Sequence, residues 1–211
     1  VISSLMGAVI EWYDFFLYGV VAGLVFNKLY FPSFSPGVGT ILAFATFAVG
    51  FVARPLGGFI FGHFGDKIGR KKMLILTLEI MGVATVLIGC IPSYDSIGIW
   101  APILLTLLRL IQGLALGGEW GGGILLAVEY SAKERRGFYG AVPQTGALFG
   151  LALGNLATSA LSQMFSEEAF LSYGWRIPFV ASIVLVLIGM WIRNKIDETP
   201  SFKKVAAANT A

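Results

Sequence analysis

Two carboxylates and two guanidiniums interrupt what are otherwise long apolar runs: Glu11 and Asp14 in the first run, Arg54 in the second and Arg109 in the fourth. An ionisable side chain costs a few kcal/mol or more at the centre of a membrane-spanning helix, and such residues usually mark a route for protons, ions or charged substrates. A carboxylate can take up and release a proton, and the planar fork of arginine matches a carboxylate through two parallel hydrogen bonds. Glu11 and Asp14 are three residues apart, so a helix would put them on one face. Gln112 follows Arg109 by three and adds an amide to the same face. An unpaired buried charge is severely destabilising, so each carboxylate is expected to have an arginine partner. Such pairs could also be static, serving only to hold helices together. Glu119 is open, Glu129 belongs either to a gate or to a solvated helix end, and Glu79 either faces a neighbouring helix or is protonated.

The elements that must carry these residues follow from composition. The chain has 211 residues, 56% hydrophobic and 13% charged, against about 45–50% and about 25% in soluble domains. Six apolar runs, about 3–27, 39–62, 72–91, 99–129, 137–163 and 175–194, are long enough to cross roughly 30 Å of hydrocarbon. All should be helical, since lipid cannot satisfy an open backbone. Pro32 and Pro36 punctuate the first connection and Pro92 the third, while Pro102 and Pro178 fall in opening turns, where proline is tolerated. The expected fold is an all-α membrane protein of six transmembrane helices.

Charge placement orients it. With the N-terminus inside, one surface receives Lys67, Arg70, Lys71, Lys72, Lys133, Arg135, Arg136, Arg193, Lys195, Lys203 and Lys204, and the other only Lys28 and Arg176. By the positive-inside rule both termini are expected to be cytoplasmic in a multi-pass plasma (inner) membrane protein whose first partner is the lipid bilayer. Counting ~1.5 Å per residue from the span ends puts Asp14 roughly 17 Å from the inner surface and Arg109 roughly 15 Å from the outer one, both near the midplane. Glu11 and Arg54 fall at roughly 12 and 8 Å from the inner surface, a level at which a second acid–base pairing is plausible.

Rows of small residues at Gly58 and Gly62, at Gly113, Gly117 and Gly121, and at Gly146, Gly150 and Gly154 would let helix backbones approach closely, either for packing or as sliding surfaces. Pro143 and the stretch from Gly117 to Gly123 could let helices bend. Trp100, Trp175, Trp191, Tyr94 and Tyr173 sit at span ends as an aromatic belt. The single histidine, His63, and single cysteine, Cys90, leave no serine–histidine, metal or disulfide constellation, and nothing points to an enzyme, a cofactor or a nucleic-acid partner. The chain opens on Val1 rather than Met, so a short preceding piece is expected.

A basic, glycine-rich run links the second and third spans: Gly62, His63, Phe64, Gly65, Asp66, Lys67, Ile68, Gly69, Arg70, Lys71 and Lys72. It resembles the loop signature of the major facilitator superfamily. Arg109, Gln112, Gly113 and Gly117 resemble that superfamily's fourth-helix signature, Glu129 with Arg136 and Gly137 its following charge cluster, and Asp197 to Pro200 the acidic segment ending helix six. Within it, the segments EWYDFFLYG from Glu11, ARPLGG from Ala53, RLIQGLALGGEWGG from Arg109 and GWRIPF from Gly174 are similar to metabolite:proton symporters of the shikimate, 2-oxoglutarate, citrate and proline/betaine type.

The resemblance implies the N-terminal bundle of a twelve-helix carrier, two inverted three-helix repeats over 1–197. Residues 198–211 would begin a central cytoplasmic loop, and a C-terminal six-helix half is absent from this chain. It implies alternating-access symport of a small organic acid or zwitterion, with the proton as coupling ion. Asp14, Glu11 and Arg109 would couple the proton, and Arg109, Gln112, Arg54, Tyr13 and Gln144 would contact substrate. Gly62, Asp66, Lys67, Gly69, Arg70, Glu129 and Arg136 would form a cytoplasmic latch against a helix of the other half. A uniporter or antiporter on the same fold, or a half-protein that does not transport, are the alternatives.

Overall fold

The computed structural model of the chain describes residues 1–209, and among these it contains helices and turns but no strand. Helix α1 runs Ile2–Leu29, α2 Pro36–Ile68, α3 Arg70–Cys90 and α4 Trp100–Glu129. The next segment, α5, is composite, with Arg136–Ala141 and Gly146–Met164 joined by a 3-10 turn at Val142–Thr145. Helix α6 is Arg176–Asn194, and α7, Pro200–Asn209, follows the bundle.

Five of these helices, α1 to α4 and α6, are by themselves long and apolar enough to cross a membrane. The fifth expected span differs. Pro143 removes a backbone donor, the chain tightens into 3-10 geometry there, and the unbroken helix beyond it carries Asn155, Ser159, Ser162 and Gln163. Pro55 also lies inside a helix, α2, without ending it. In α1 the backbone widens to a π turn over Ala22–Phe26.

The connection between α2 and α3 is shorter than the sequence suggests. Helix continues through Ile68 and resumes at Arg70, so the basic run is helical on both sides of one residue, Gly69. Its φ of 117° lies in a region that side chains rarely adopt, which is why glycine stands there.

Glycine rows decide which helices touch. A Cβ on Gly117 would come within 2.6 Å of the Gly58 backbone nitrogen, and one on Gly113 would meet the Gly50 backbone at 2.8 Å, so α2 and α4 cross backbone to backbone. A Cβ on Gly150 would lie 2.6 Å from the Tyr13 nitrogen, and Gly146 is equally confined by Ala8 and Val9, which lays α5 along α1. Helix α3 packs between α4 and α6. A main apolar cluster joins α1, α3, α4 and α6 around Leu17, Phe26, Ile88, Leu105, Trp175 and Phe179. A smaller one, with Ile10, Leu78, Leu116 and Val186, lies nearer the basic end.

Candidate functional site: a ladder of buried ion pairs

Asp14, on α1, meets Arg109 and Gln112 of α4 and Thr85 of α3 in the interior. The Arg109 Nη1 to Asp14 Oδ2 distance is 3.3 Å, and Gln112 Nε2 and Thr85 Oγ1 donate to Asp14 Oδ1 at 3.1 and 2.9 Å. Arg109 Nη1 also donates to Gln112 Oε1 at 3.0 Å. Asp14 and Arg109 are each 1% exposed, so the pair stands in a medium where neither charge could be left alone. The guanidinium carbon lies 4.5 Å from the ring centre of Tyr18 and 5.0 Å from that of Phe47, a cation–π setting supplied by α1 and α2. Gly50 makes room for it, since a Cβ there would come 2.7 Å from Arg109 Nε.

Three residues towards the N-terminus, Glu11 faces Arg54 of α2 at 3.4 Å. Arg54 also lies over the ring of Phe51 at 4.8 Å. A third pair lies further towards the basic end. Arg193 of α6 grips Glu119 of α4 with both terminal nitrogens, Nη1 at 2.9 Å from Oε2 and Nη2 against Oε1, while Thr77 of α3 donates to Oε2 at 3.2 Å. Arg193 also donates to the Leu74 carbonyl, and both members of the pair are buried. A Cβ on Gly7 would collide with this pair, so glycine in α1 gives it space.

Arg193 is a functional candidate that sequence reasoning missed. As a basic residue at a span end it reads as a topological marker, yet the structure turns it inward from the last turn of α6. The signal was Glu119, a carboxylate in an apolar run that lacked an arginine partner. The Tyr13 hydroxyl donates to the Pro178 carbonyl at 2.8 Å, so the side chain braces α1 against α6. Gln144 is exposed and lines a small chamber with Glu11, Glu119 and Ser4. Glu79 is half-buried on α3 with no ion pair among the described residues.

At the basic end, Arg70 bridges Asp66, at 3.3 Å, and Glu129 of α4, at 2.9 Å. Gly62 and Lys67 are exposed on the same stretch, and Gly69 supplies the turn. Arg136 is exposed, and no ion pair joins it to this group among the described residues. Glu198, in the acidic segment that follows α6, joins this end. Its carboxylate accepts from the Lys71 backbone nitrogen at 3.0 Å, placing negative charge at the N-terminus of α3, where the helix dipole favours it. Tyr130 holds that segment by donating to the carbonyls of Asp197 and Glu198. Partial burial and then the nearby Asp197, Glu198 and Glu129 carboxylates raise the Tyr130 phenol above its ordinary range.

Residues 1–209 match the model of the family described as "Sugar (and other) transporter". The chain is 56% identical over 203 residues to the shikimate transporter of Escherichia coli K12, covering 96% of this chain and 46% of that protein. It is 48% identical over 207 residues to the inner membrane metabolite transport protein YhjE of the same organism, covering 98% and 47%. With the E. coli proline/betaine transporter it shares 44% identity over 202 residues, covering 96% and 40%. The chain thus spans about half the length of the curated relatives it matches. Among solved structures, the inward open conformation of the xylose transporter XylE from E. coli superposes with a TM-score of 0.84 at 16% identity, over 95% of this chain and 48% of that one, which establishes the fold. The relatives are transporters and not enzymes, and the apolar helices mark an integral membrane protein. The chain belongs to the sugar (and other) transporter family of the major facilitator superfamily.

Proposed function

We propose that this chain is the N-terminal bundle of a proton-coupled symporter for a small organic acid or zwitterion, completed by a second six-helix half that its relatives' length implies. The observation that carries the reading is the buried Asp14–Arg109 pair, with Gln112 and Thr85 on the same carboxylate. Protonation of Asp14 removes the counter-charge of Arg109, and a carboxylate of the substrate restores it. The planar guanidinium is suited to that exchange, since it can hold either carboxylate through parallel hydrogen bonds. Substrate and proton therefore favour each other's binding, which is the requirement for symport.

Arg54 and Gln112 complete the proposed substrate contacts. The basic end is assigned to the cytoplasm of a plasma (inner) membrane by the positive-inside rule. There, Asp66, Arg70 and Glu129 would act as one side of a latch against a helix of the second half, released when the halves rock. Uptake into vesicles of the intact carrier, with shikimate, proline and betaine as probes, tests the reading. Asp14→Asn is expected to abolish accumulation driven by a pH gradient while substrate exchange continues. Accumulation at the wild-type level by this variant would refute the coupling role, and normal transport by Arg109→Lys would refute the clamp.

A further inference from the structure

The Asp14–Arg109 pair stands well inside the bundle, yet a coupled proton must leave at the basic end. Between them lie Glu11 with Arg54, then Glu119 with Arg193, in that order along α1 and α4. Glu11 is within electrostatic reach of Asp14, Arg54, Glu119 and Arg193 together.

Two small chambers flank the Glu119–Arg193 pair. The first is lined by Ser4, Glu11, Glu119 and Gln144 and offers about 10 Å³ to a water-sized centre, the space of about one water molecule. Ser4 Oγ is buried and has no hydrogen-bond partner among the described residues, whereas Glu11 Oε1 faces Arg54 at 3.4 Å. The second, also about 10 Å³, is lined by Ser3, Lys71, Leu74 and Arg193. Ser3 Oγ and Arg193 Nε are likewise buried without partners. Buried polar atoms are nearly always satisfied, by protein or by ordered water. Three unpartnered atoms, one on the first chamber and two on the second, therefore describe a polar step on either side of the ion pair.

We propose that Glu119 is a second proton-carrying carboxylate: it receives the proton of Asp14 by way of Glu11, through one water in the first chamber, and its own O–H bond then breaks to release the proton to water on the basic side. This rests on the symport reading above and extends it to the inner route. In the first step the Glu11 O–H bond breaks, the chamber water takes that proton while releasing one of its own, and a Glu119 O–H bond forms. Arg193 stays protonated throughout; it loses its counter-charge while Glu119 is neutral, which drives the proton onward. The other groups on Glu119 are Thr77 from α3 and, across the chamber, Ser4 and Glu11 from α1 and Gln144 from α5.

The alternative is that Glu119–Arg193 only ties α3, α4 and α6 together. Proton influx into pyranine-loaded vesicles of the intact carrier, driven by shikimate or by whichever of proline and betaine is taken up fastest, separates the two. Each influx is normalised to substrate exchange by the same variant. Glu119→Gln should lower the normalised proton flux by about 100-fold, the low end for a positioned proton-transfer group. The charge-balanced E119Q/R193Q should lower it equally, because no orphan charge remains yet the carrier group is gone. Ser4→Val, which fills the first chamber without touching the pair, should also lower it. Wild-type flux in E119Q/R193Q overturns the proposal and leaves a structural brace. Loss of coupling in Asp14→Asn together with wild-type flux in Glu119→Gln overturns this route alone, whereas retained coupling in Asp14→Asn overturns the symport reading and this proposal with it.

Discussion

Replacing Asp14 by Asn while Arg109 stays charged leaves a guanidinium that is 1% exposed without its counter-ion. Breaking a buried pair from one side costs about 3–5 kcal/mol. The lower end applies here, because Arg109 keeps the Gln112 oxygen and the ring faces of Tyr18 and Phe47. A loss of about 3 kcal/mol is expected, and a similar loss for Arg109→Gln, where Asp14 keeps only the neutral donors Gln112 and Thr85. The double variant removes both charges and leaves amides and a hydroxyl able to bond one another, at a cost of about 2 kcal/mol. The cycle therefore predicts a coupling of about 4 kcal/mol, the two singles less the double. Denaturant titration of the purified protein in detergent micelles, followed by tryptophan fluorescence, measures it; Trp175 is fully buried against the same core. Additivity of the single losses to within about 0.5 kcal/mol would show that the charges do not pair, and the reasoning would fail.

The α4 glycine row provides a graded test. Gly117→Ala should cost about 1–3 kcal/mol, because its Cβ meets α2 backbone that cannot step aside. Gly121→Ala, with nothing within 4 Å, should be neutral or stabilising by up to about 1 kcal/mol; equal thermal shifts for the two would contradict the crossing described. Asp66→Asn should change stability by less than about 1 kcal/mol, since Asp66 is largely exposed. In a Cys90→Ser background it should nonetheless speed thiol labelling of a cysteine placed at Gly62, and unchanged labelling would count against the latch. Tyr13→Phe should cost about 1 kcal/mol through the lost Pro178 bond and leave substrate affinity unchanged; a weaker affinity would return Tyr13 to the substrate site.

The pairings of Asp14 with Arg109 and Glu11 with Arg54 were legible because hydrocarbon forces a buried charge to find a partner, and the rise of a helix fixes the level at which it can. Level does not give rotation, and so the bond from Tyr13, adjacent to Asp14 in sequence, to the Pro178 carbonyl of α6 could not be read from spacing. Arg193 was hidden by its position, since a basic residue at a span end reads as a topological marker whether it faces water or the interior. Thr77 and Thr85 carry no hydropathy signal, and only the packed structure shows that they donate to buried carboxylates. The run from Gly62 to Lys72 announced a turn, but its charged residues fit a helix end and a loop equally well. The positive φ of Gly69 reveals that one residue makes the whole reversal.

Charge balance inside the bundle leads to a final prediction about pH. The three pairs set the carboxylates of Glu11, Asp14 and Glu119 against the guanidiniums of Arg54, Arg109 and Arg193, so the buried ladder is neutral when all are ionised. One added proton on Asp14 leaves an excess positive charge centred on Arg109, and a monoanion bound there cancels it. Linkage then requires that a monoanion bind more tightly as pH falls through the titration of Asp14, and that it raise proton affinity by the same factor. On the proposed symport reading the excess charge in Asp14→Asn is permanent, so the affinity for a monoanionic substrate should stay at the level the wild type reaches in acid, with no dependence on pH. A coupling of about 2 kcal/mol, in the middle of the usual range, corresponds to about a 30-fold change in the wild-type dissociation constant across that interval. Binding measured by calorimetry at a series of pH values gives both curves. If the wild type and the Asn variant show the same slope, the proton that tunes substrate affinity resides elsewhere, and Glu11 becomes the next carboxylate to neutralise.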